Sequence, residues 1–345
     1  MPLLSVILPT FNRGHVISRA IESVLVQTLS DFELVIVDDG STDGTRHLLA
    51  AIEDPRVRVI RSDFNRGGNW ARNRGIEHAR SDLVSFIDSD DAYLPEKIEC
   101  AVEFFSKHQA VDVWVDSFVS RDDQDRGKPD KKKVNPLAFT GAAFRAGLFE
   151  RKISKATAAL NIRKSALFDV GLFDETLCRR QDFDLILRLS KRHHCMTTDR
   201  ILWMKYETSD GISRNADTFM NAAIAISERH PDYLRDHPEA LYRDLRSHFS
   251  KLLKQQEWKT LVVDARRYRR YEPFEVPFWR LLLDGRVSER DPKRFPESLG
   301  QSLFDLLQDE SAQRSRNESG TPSIVTGVSV SFLAVQKLSC VRHRE

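Results

Sequence analysis

Two acidic clusters, Asp38-Asp39 and Asp88-Ser89-Asp90-Asp91, each follow directly on a short apolar run, residues 32–37 and 83–87. Carboxylates crowded at one edge repel one another unless a positive charge sits among them. A hard divalent cation, Mg²⁺ or Mn²⁺, meets that need with one or two carboxylates plus phosphate oxygens. Three acids in four residues exceed what capping a turn requires, whereas capping accounts for Asp43. Pro9-Thr10 closes another apolar run, where exposed main-chain groups could meet a base and ribose. Asp38 or Asp39 could accept a hydrogen bond from the imide N–H of a uracil-type base. The stretch Asn65-Arg66-Gly67-Gly68-Asn69-Trp70-Ala71-Arg72-Asn73-Arg74-Gly75 reads as a lip for a nucleotide diphosphate. Glycine permits close backbone approach there, and arginine suits phosphate.

Positioning those groups requires strands that deliver their ends to one edge. Residues 4–8, 32–37, 57–60 and 83–87 are short and rich in β-branched side chains, as strands buried on both faces should be. Val16, Ala20, Ile21, Val24 and Leu25 recur at helical spacing between the first two. Alternating strands and helices joined by right-handed crossovers predict an α/β fold with a doubly wound, mostly parallel sheet. Ligands of such sheets bind beyond the carboxyl ends of the strands, where the acids lie. Residues 121–135 are charged and turn-forming and read as an exposed loop, whose Lys131-Lys132-Lys133 could touch an anionic acceptor. From about Thr218 the pattern is helical. Leu241, Leu245, Phe249, Leu252 and Leu253 form an apolar stripe, and Asp236 with Glu239 resembles a capping box with Pro238 in the first turn.

The chain has 345 residues, 41% hydrophobic and 30% charged, which suits a globular protein of about two domains. A net charge of +2 gives no reason to expect nucleic acid as the main partner. Arg266-Arg-Tyr-Arg-Arg270 reads as a solvated helix face or, at most, a patch for peripheral association with an anionic membrane. Four dispersed cysteines exclude a disulfide scaffold or zinc ribbon and suggest a reducing, cytoplasmic setting. No apolar stretch approaches the ~20 residues of a membrane span, and residues 3–8 do not read as a signal peptide. Asn317-Glu-Ser319 matches a glycosylation acceptor without a secretory signal to give it meaning.

Four segments in order, Ser5-Val-Ile-Leu-Pro-Thr-Phe-Asn12, Phe32-Glu-Leu-Val-Ile-Val-Asp-Asp-Gly-Ser-Thr-Asp43, Ala71-Arg-Asn-Arg-Gly75 and Phe86-Ile-Asp-Ser-Asp-Asp91, resemble the successive motifs of family 2 glycosyltransferases. The resemblance implies a GT-A fold, a nucleotide-sugar donor and a DxD metal site at Asp88-Ser89-Asp90. By it Asp39 contacts the base, Asp88 lies near the ribose and Asp90 holds Mn²⁺ or Mg²⁺ on the diphosphate. Pro9, Thr10, Asn12, Gly68, Arg72 and Ser89 complete the donor site. Phe168-Asp-Val-Gly-Leu-Phe-Asp-Glu175 followed by Gln181-Asp-Phe-Asp-Leu185 matches the family's turn and acidic pair, which makes Asp182 the catalytic base. A carboxylate opposite the leaving diphosphate can deprotonate the attacking hydroxyl, while a first-turn charge favoured by the helix dipole is the plainer account of Asp182. Asp184, two positions on, reads as structural.

The chain departs from the family at Gln181, where Glu is usual, and after residues 201–206, where many relatives carry a histidine. Glu207, Asp210 or water would then complete the metal's ligands; His193 and His194 read as surface residues as readily as functional ones. The Gln-x-x-Arg-Trp motif of processive, membrane-embedded relatives is absent. The expected organisation is a GT-A domain over residues 1–215, with a donor half to about 115 and an acceptor half over about 136–215. A helical subdomain over 216–310 and a tail over 311–345 follow. The expected activity is metal-dependent, inverting transfer of one sugar from a UDP-sugar or other nucleotide-sugar to a glycan, lipid-linked or protein hydroxyl. A non-catalytic glycan- or nucleotide-binding protein on the same scaffold and a sugar-nucleotide pyrophosphorylase are the alternatives. The second lacks its Gly-rich loop after the first strand, and neither GxGxxG nor GxxxxGK[ST] occurs.

Overall fold

A computed structural model describes residues 1–123, 129–137, 141–207 and 218–276, with Phe278 and Leu281. The chain divides into two compact units, Met1–Arg214 and Asn215–Glu345.

The first unit begins with β1 (Leu4–Thr10), α1 (Ile17–Leu25), β2 (Phe32–Asp38), α2 (Thr45–Ala50), β3 (Val57–Arg61), α3 (Gly68–His78) and β4 (Leu83–Phe86). These four strands are parallel in the order β3-β2-β1-β4. Every residue of β1 and β2 is buried. Full burial of an aliphatic side chain contributes roughly 1.5–3 kcal/mol, so Leu4, Val6, Ile7 and Leu8 alone outweigh any strand propensity. Pro9 sits in this central strand without costing a ladder bond. The Ile7 carbonyl accepts from Ile87 N at 3.1 Å on the β4 side, and Pro9, two residues on, faces the same way beyond the last β4 pairing. α3 lies on β1 and β2 through Gly75, where a Cβ would come within 2.4 Å of Ile7 Cγ2.

The sheet continues through β5 (Ala92–Tyr93), β6 (Val113–Asp122), β7 (Lys131–Lys133), β8 (Leu160–Arg163) and β9 (Cys195–Glu207). Its order is β3-β2-β1-β4-β8-β6-β9-β5, with β7 on β6. β8 enters antiparallel between β4 and β6, while β6 and β9 run parallel with a register shift around Ser117. Around these strands lie α4 (Lys97–Lys107), α5 (Gly141–Phe149), α6 (Lys164–Asp169) and α7 (Gln181–Arg192). Residues 121–135, expected as a loop, prove to be partly sheet. Lys131–Lys133 pairs antiparallel with Ser120–Phe118, because backbone hydrogen bonding on an exposed edge tolerates any side-chain charge.

A polar network runs through the centre of this sheet. Lys97 is ion-paired with Asp116, both wholly buried, and Asn161 Nδ2 donates to Asp116 at 3.0 Å. Asn161 Oδ1 accepts from Ser85 Oγ at 2.9 Å, and Ser85 meets the Tyr93 hydroxyl at 2.8 Å. Burial pushes Asp116 up and Lys97 down, each toward its neutral form and against their mutual attraction.

The second unit is helical over its described residues: α8 (Phe219–Arg229), α9 (Pro231–Asp236), α10 (Pro238–Gln255) and α11 (Trp258–Arg270). Leu241, Leu245, Phe249 and Leu252 are buried along α10, and Leu253 is half-buried. Asp236 does not cap α10. It is the last residue of α9 and is held by Arg235 at 2.7 and 2.8 Å, while His237 takes the capping position ahead of Pro238. In the arginine-rich stretch Tyr268 is buried, and Arg267 donates to Asp264 at 3.0 Å beside the buried His248–Asp264 pair at 2.7 Å. Among the described residues no helix is long and apolar enough to cross a membrane.

Removing one partner of a buried ion pair leaves an uncompensated charge. Lys97→Met should therefore lower unfolding free energy by about 3–5 kcal/mol, and adding Asp116→Asn should recover part of it, as measured by urea denaturation.

Candidate functional site

The carboxyl ends of β1 and β2 lie in register, Thr10 beside Asp38. Asp38 Oδ1 accepts from Ser41 N at 3.0 Å, but Oδ2 has no hydrogen bond, its nearest charge being Arg46 Nε at 3.8 Å. Thr10 Oγ1 is likewise buried without a partner. A buried polar atom left unsatisfied costs about 1–3 kcal/mol, so two at neighbouring strand ends mark a place suited to a polar ligand. Asn12, at φ 53°, shapes this edge: its Oδ1 accepts from Thr42 N at 2.8 Å and its own N donates to Ser41 Oγ at 2.9 Å. Asp43 Oδ1 accepts from Thr45 N at 3.0 Å, the capping role its position suggested.

Asp39, the residue carried over to the base, holds the lip loop in this structure. Its carboxylate accepts from Arg66 N at 2.9 and 3.1 Å and from Gly67 N at 2.7 Å. Gly40 makes this possible. It has φ 78°, and a Cβ there would fall 2.6 Å from the Phe64 carbonyl carbon. Burial raises the Asp39 carboxyl and the Asp38 charge adds to this, against the two backbone donors. The group without a hydrogen-bond partner is therefore on Asp38, which the sequence left level with Asp39.

The lip leads through Gly67, at φ 101°, into α3. Arg72 is buried there and donates from Nη2 to Asp88 Oδ1 at 2.7 Å. A Cβ on Gly68 would stand 3.2 Å from Arg72 Nη1, so glycine leaves room for the guanidinium. Residues 87–91 form a tight acidic loop. Asp91 N donates to the Asp88 carbonyl at 3.1 Å, and the Asp91 carboxylate accepts from Tyr206 N of β9 at 3.1 Å. Asp91 is raised well above the ordinary range by burial first and then by the charges of Asp88 and Asp90, which Lys205 opposes. The Asp90 carbonyl accepts from Arg19 Nη2 at 2.6 Å, and that guanidinium stacks 3.5 Å over the Tyr206 ring. Ser89 is buried within the loop. The Tyr93 hydroxyl donates to the Phe86 carbonyl at 2.6 Å and so staples the two ends of the loop.

This donor set suits a divalent cation as a partial site. Among the described residues no three His, Cys, Asp or Glu side chains converge in metal-holding geometry. Mg²⁺ and Mn²⁺ need only one or two carboxylates when phosphate supplies the rest, and the repulsion felt by Asp91 is what a cation at Asp88 and Asp90 would relieve. Glu207 accepts from Ser120 Oγ at 3.0 Å, and Asp210 lies outside the described residues. His193 bridges Asp112 at 3.3 Å and Asp169 at 3.0 Å, which is a structural role.

Asp182 stands in the first turn of α7, half-buried, accepting from Phe183 N at 2.7 Å. Burial raises its carboxyl, and Lys155, Arg72 and Lys205 draw it back. The charges of Arg72 and Lys205 thus bear on Asp182, and Arg72 bonds Asp88 while the Lys205 charge opposes the rise at Asp91. Asp184 pairs with Arg188 at 2.7 Å, the structural role expected of it. Two residues that the sequence did not mark connect the halves. Asn69 Nδ2 donates to the Asp174 and Leu177 carbonyls, both at 2.7 Å. Asn73 Nδ2 donates to Phe173 O and Glu175 Oε1, both at 2.9 Å, and Oδ1 accepts from Phe173 N at 3.0 Å. Asparagines spaced four apart on a glycine-led helix were the available signal.

A family model described as glycosyl transferase family 2 matches residues 5–175. A UDP-Glc:alpha-D-GlcNAc-diphosphoundecaprenol beta-1,3-glucosyltransferase of Escherichia coli is 35% identical over 106 residues, 31% of this chain and 42% of that protein. A putative teichuronic acid biosynthesis glycosyltransferase of Bacillus subtilis is 43% identical over 105 residues, 30% of this chain and 42% of that protein. The chain spans less than half the length of these two relatives. The crystal structure of S. aureus TarS 1-349 in complex with UDP-GlcNAc superposes with a TM-score of 0.60 at 21% identity, covering 79% of this chain and 82% of that one. That likeness shows the fold, which is the GT-A type expected.

Asn73→Ala removes three hydrogen bonds to the 173–175 turn. It should lower stability by about 1–3 kcal/mol and speed exchange of the Phe173 amide, as read by urea denaturation and hydrogen exchange.

Proposed function

The chain belongs to glycosyl transferase family 2, and on that premise we propose that it moves a single sugar from a nucleotide-sugar, a UDP-sugar first, to a hydroxyl of a glycan, lipid-linked or protein acceptor. The observation that carries this is Arg72, which bonds Asp88 at 2.7 Å while its charge acts on Asp182. In this reading a carboxylate suited to proton abstraction and a carboxylate loop suited to the cation of a diphosphate serve one reaction. The TarS complex with UDP-GlcNAc and the UDP-Glc named for the E. coli relative support uracil as the base.

In this reading the buried, partnerless Thr10 Oγ1 and Asp38 Oδ2 face the base, and Pro9, Asn12 and Asp39 hold the surrounding loops. Gly68 and Arg72 place the lip beside the diphosphate. Asp88 and Asp90, with Ser89 between them, would hold Mn²⁺ or Mg²⁺. The ion, when bound, neutralises charge developing on the leaving diphosphate. Asp182 takes the proton from the attacking hydroxyl, and attack opposite the leaving group inverts the anomeric centre. The half-buried position of Asp182 matters because a base works best with its pKa drawn toward the working pH.

Asp182→Asn should reduce transfer by about 10²–10⁴-fold while a nucleoside diphosphate still raises the melting temperature. Loss of that thermal shift would move Asp182 into the donor pocket. The unprotonated base is the active form and its pKa is raised, so kcat/KM should fall with acid along a limb above the ordinary Asp value of about 3.9. Full transfer in excess chelator would rule out the metal, whereas restoration by Mn²⁺ supports it. A screen of nucleoside diphosphates with Mn²⁺ names the base, since a ligand at about 100 times its Kd adds ~2.7 kcal/mol of stability.

A further inference from the structure

An arginine from outside the acidic loop takes part in holding it. Arg19 leaves the first turn of α1 half-buried, and its guanidinium makes three contacts at once. Nη2 donates to the Asp90 carbonyl at 2.6 Å, Nη1 donates to Asp123 Oδ1 at 2.7 Å, and the central carbon lies 3.5 Å over the Tyr206 ring. Three segments are joined in this way: the acidic loop, the residue just past β6 and the end of β9. The Asp123 pair is the least of these contacts, since its side chains are 30% and 28% exposed and exposed ion pairs contribute little. Arg19 Nε is buried without a hydrogen-bond partner, which costs stability, as does ordering so long a side chain. Stability alone therefore gives weak reason for an arginine here. The contacts with Asp90 and Tyr206 are the ones that reach the site.

A peptide unit is planar, so fixing its C=O and its N–H fixes its orientation. In the unit that joins Asp90 to Asp91, Arg19 holds the C=O and the Asp88 carbonyl accepts from the N–H at 3.1 Å. The direction in which the Asp90 side chain leaves the backbone is constrained accordingly. The next residue is fixed as well: Asp91 accepts from Tyr206 N at 3.1 Å, and the guanidinium rests on the ring of that same tyrosine. Arg19, Asp90, Asp91 and Tyr206 thus close a ring of contacts. Across the loop Arg72 bonds the Asp88 carboxylate at 2.7 Å. Arg72 therefore acts on a carboxylate, whereas Arg19 acts on the backbone that carries the next one but one. Only a planar fork with a flat face can bond two oxygens and stack on a ring together, which a lysine ammonium cannot do.

We propose that Arg19 is a positioning residue for sugar transfer: it holds the Asp90–Asp91 peptide unit against Tyr206 and so keeps the Asp90 carboxylate aimed at a divalent cation shared with Asp88. This rests on the reading of the chain as a transferase whose acidic loop takes Mn²⁺ or Mg²⁺. Groups that orient metal ligands without touching the ion change its affinity by about 10–100-fold when removed. α1 follows the rim of β1, so Arg19 also ties the acidic loop to the element that comes directly after Thr10 and Asn12.

The test is calorimetric titration of UDP into the full chain, in excess chelator and across a series of free Mn²⁺ concentrations. The reading is the Mn²⁺ concentration that gives half of the metal-induced tightening. In Arg19→Gln that concentration should rise about 10–100-fold, with UDP affinity in chelator kept within about twofold of wild type. Arg19→Lys should show most of the same loss although it keeps the charge. Asp123→Asn, which removes only the exposed pair, should stay near wild type. A lowered urea midpoint in Arg19→Gln with unchanged Mn²⁺ dependence marks a merely structural contact and overturns the proposal. So does wild-type behaviour in Arg19→Lys, which would make charge and not position the cause, or a loss in Asp123→Asn as large as in Arg19→Gln. Should Arg19→Gln fail to fold, Tyr206→Leu decides, since it keeps the β9 backbone bonds and removes the ring; unchanged Mn²⁺ dependence there overturns the proposal. The two readings fail in different ways. A wild type that does not bind UDP, or binds it equally with and without Mn²⁺, removes the premise and the proposal with it. A wild type tightened by Mn²⁺ and matched by its Arg19 variants removes the role of Arg19 alone.

Discussion

Crowding of carboxylates at one edge of a sheet is the constraint around which the first unit is arranged. Parallel strands deliver their carboxyl ends to the same side, and this chain places acids at the ends of β2 and β4 and at the head of α7. Each acid is held by a different device. Backbone N–H groups of Arg66 and Gly67 hold Asp39, Arg72 holds Asp88, and Tyr206 N with the Lys205 charge holds Asp91. Asp182 keeps one short backbone bond and a surround of cations. Repulsion among these acids is thus offset locally, by backbone donors and by nearby cations.

Rigidity behind the acids comes from neutral hydrogen bonds and one buried ion pair. The Tyr93 hydroxyl ties the acidic loop to the Phe86 carbonyl, and Ser85, Asn161 and Asp116 carry that contact back to Lys97. On the other side Asn69 and Asn73 fasten the 173–177 turn to α3, which leads the chain toward α7. Gly40 and Gly75 allow the approach of backbone and side chain that these contacts need. The match of residues 5–175 to glycosyl transferase family 2 gives the arrangement its chemical sense.

Most of the frame is legible in the residues. The apolar runs become β1 to β4 nearly to the residue, because burial on both faces of β1, β2 and most of β4 demands continuous apolar stretches, whereas the edge strand β3 is only half-buried. Asp43 caps its turn and Asp184 pairs within its helix because those contacts are local and set by spacing of two and four residues. The stripe on α10 is buried for the same reason, as helical period alone selects one face. Spacing failed where two local readings competed: Asp236 ends α9 and does not cap α10, and Lys131–Lys133 is an edge strand.

The identity of the acids, their order along the chain and their place after strands thus follow from sequence, since strand ends and turns are near neighbours along the chain. Which acid has a free hydrogen-bonding atom does not. Asp38 and Asp39 are adjacent and alike, and they differ only because Arg66 and Gly67, 27 and 28 residues on from Asp39, return to bond the second of them. The bond from Arg72 to Asp88 and the approach of Lys155 to the Phe183 ring are likewise contacts between segments apart in the chain. Electrostatic coupling depends on distance in space, and only the packed sheet brings these charges within range.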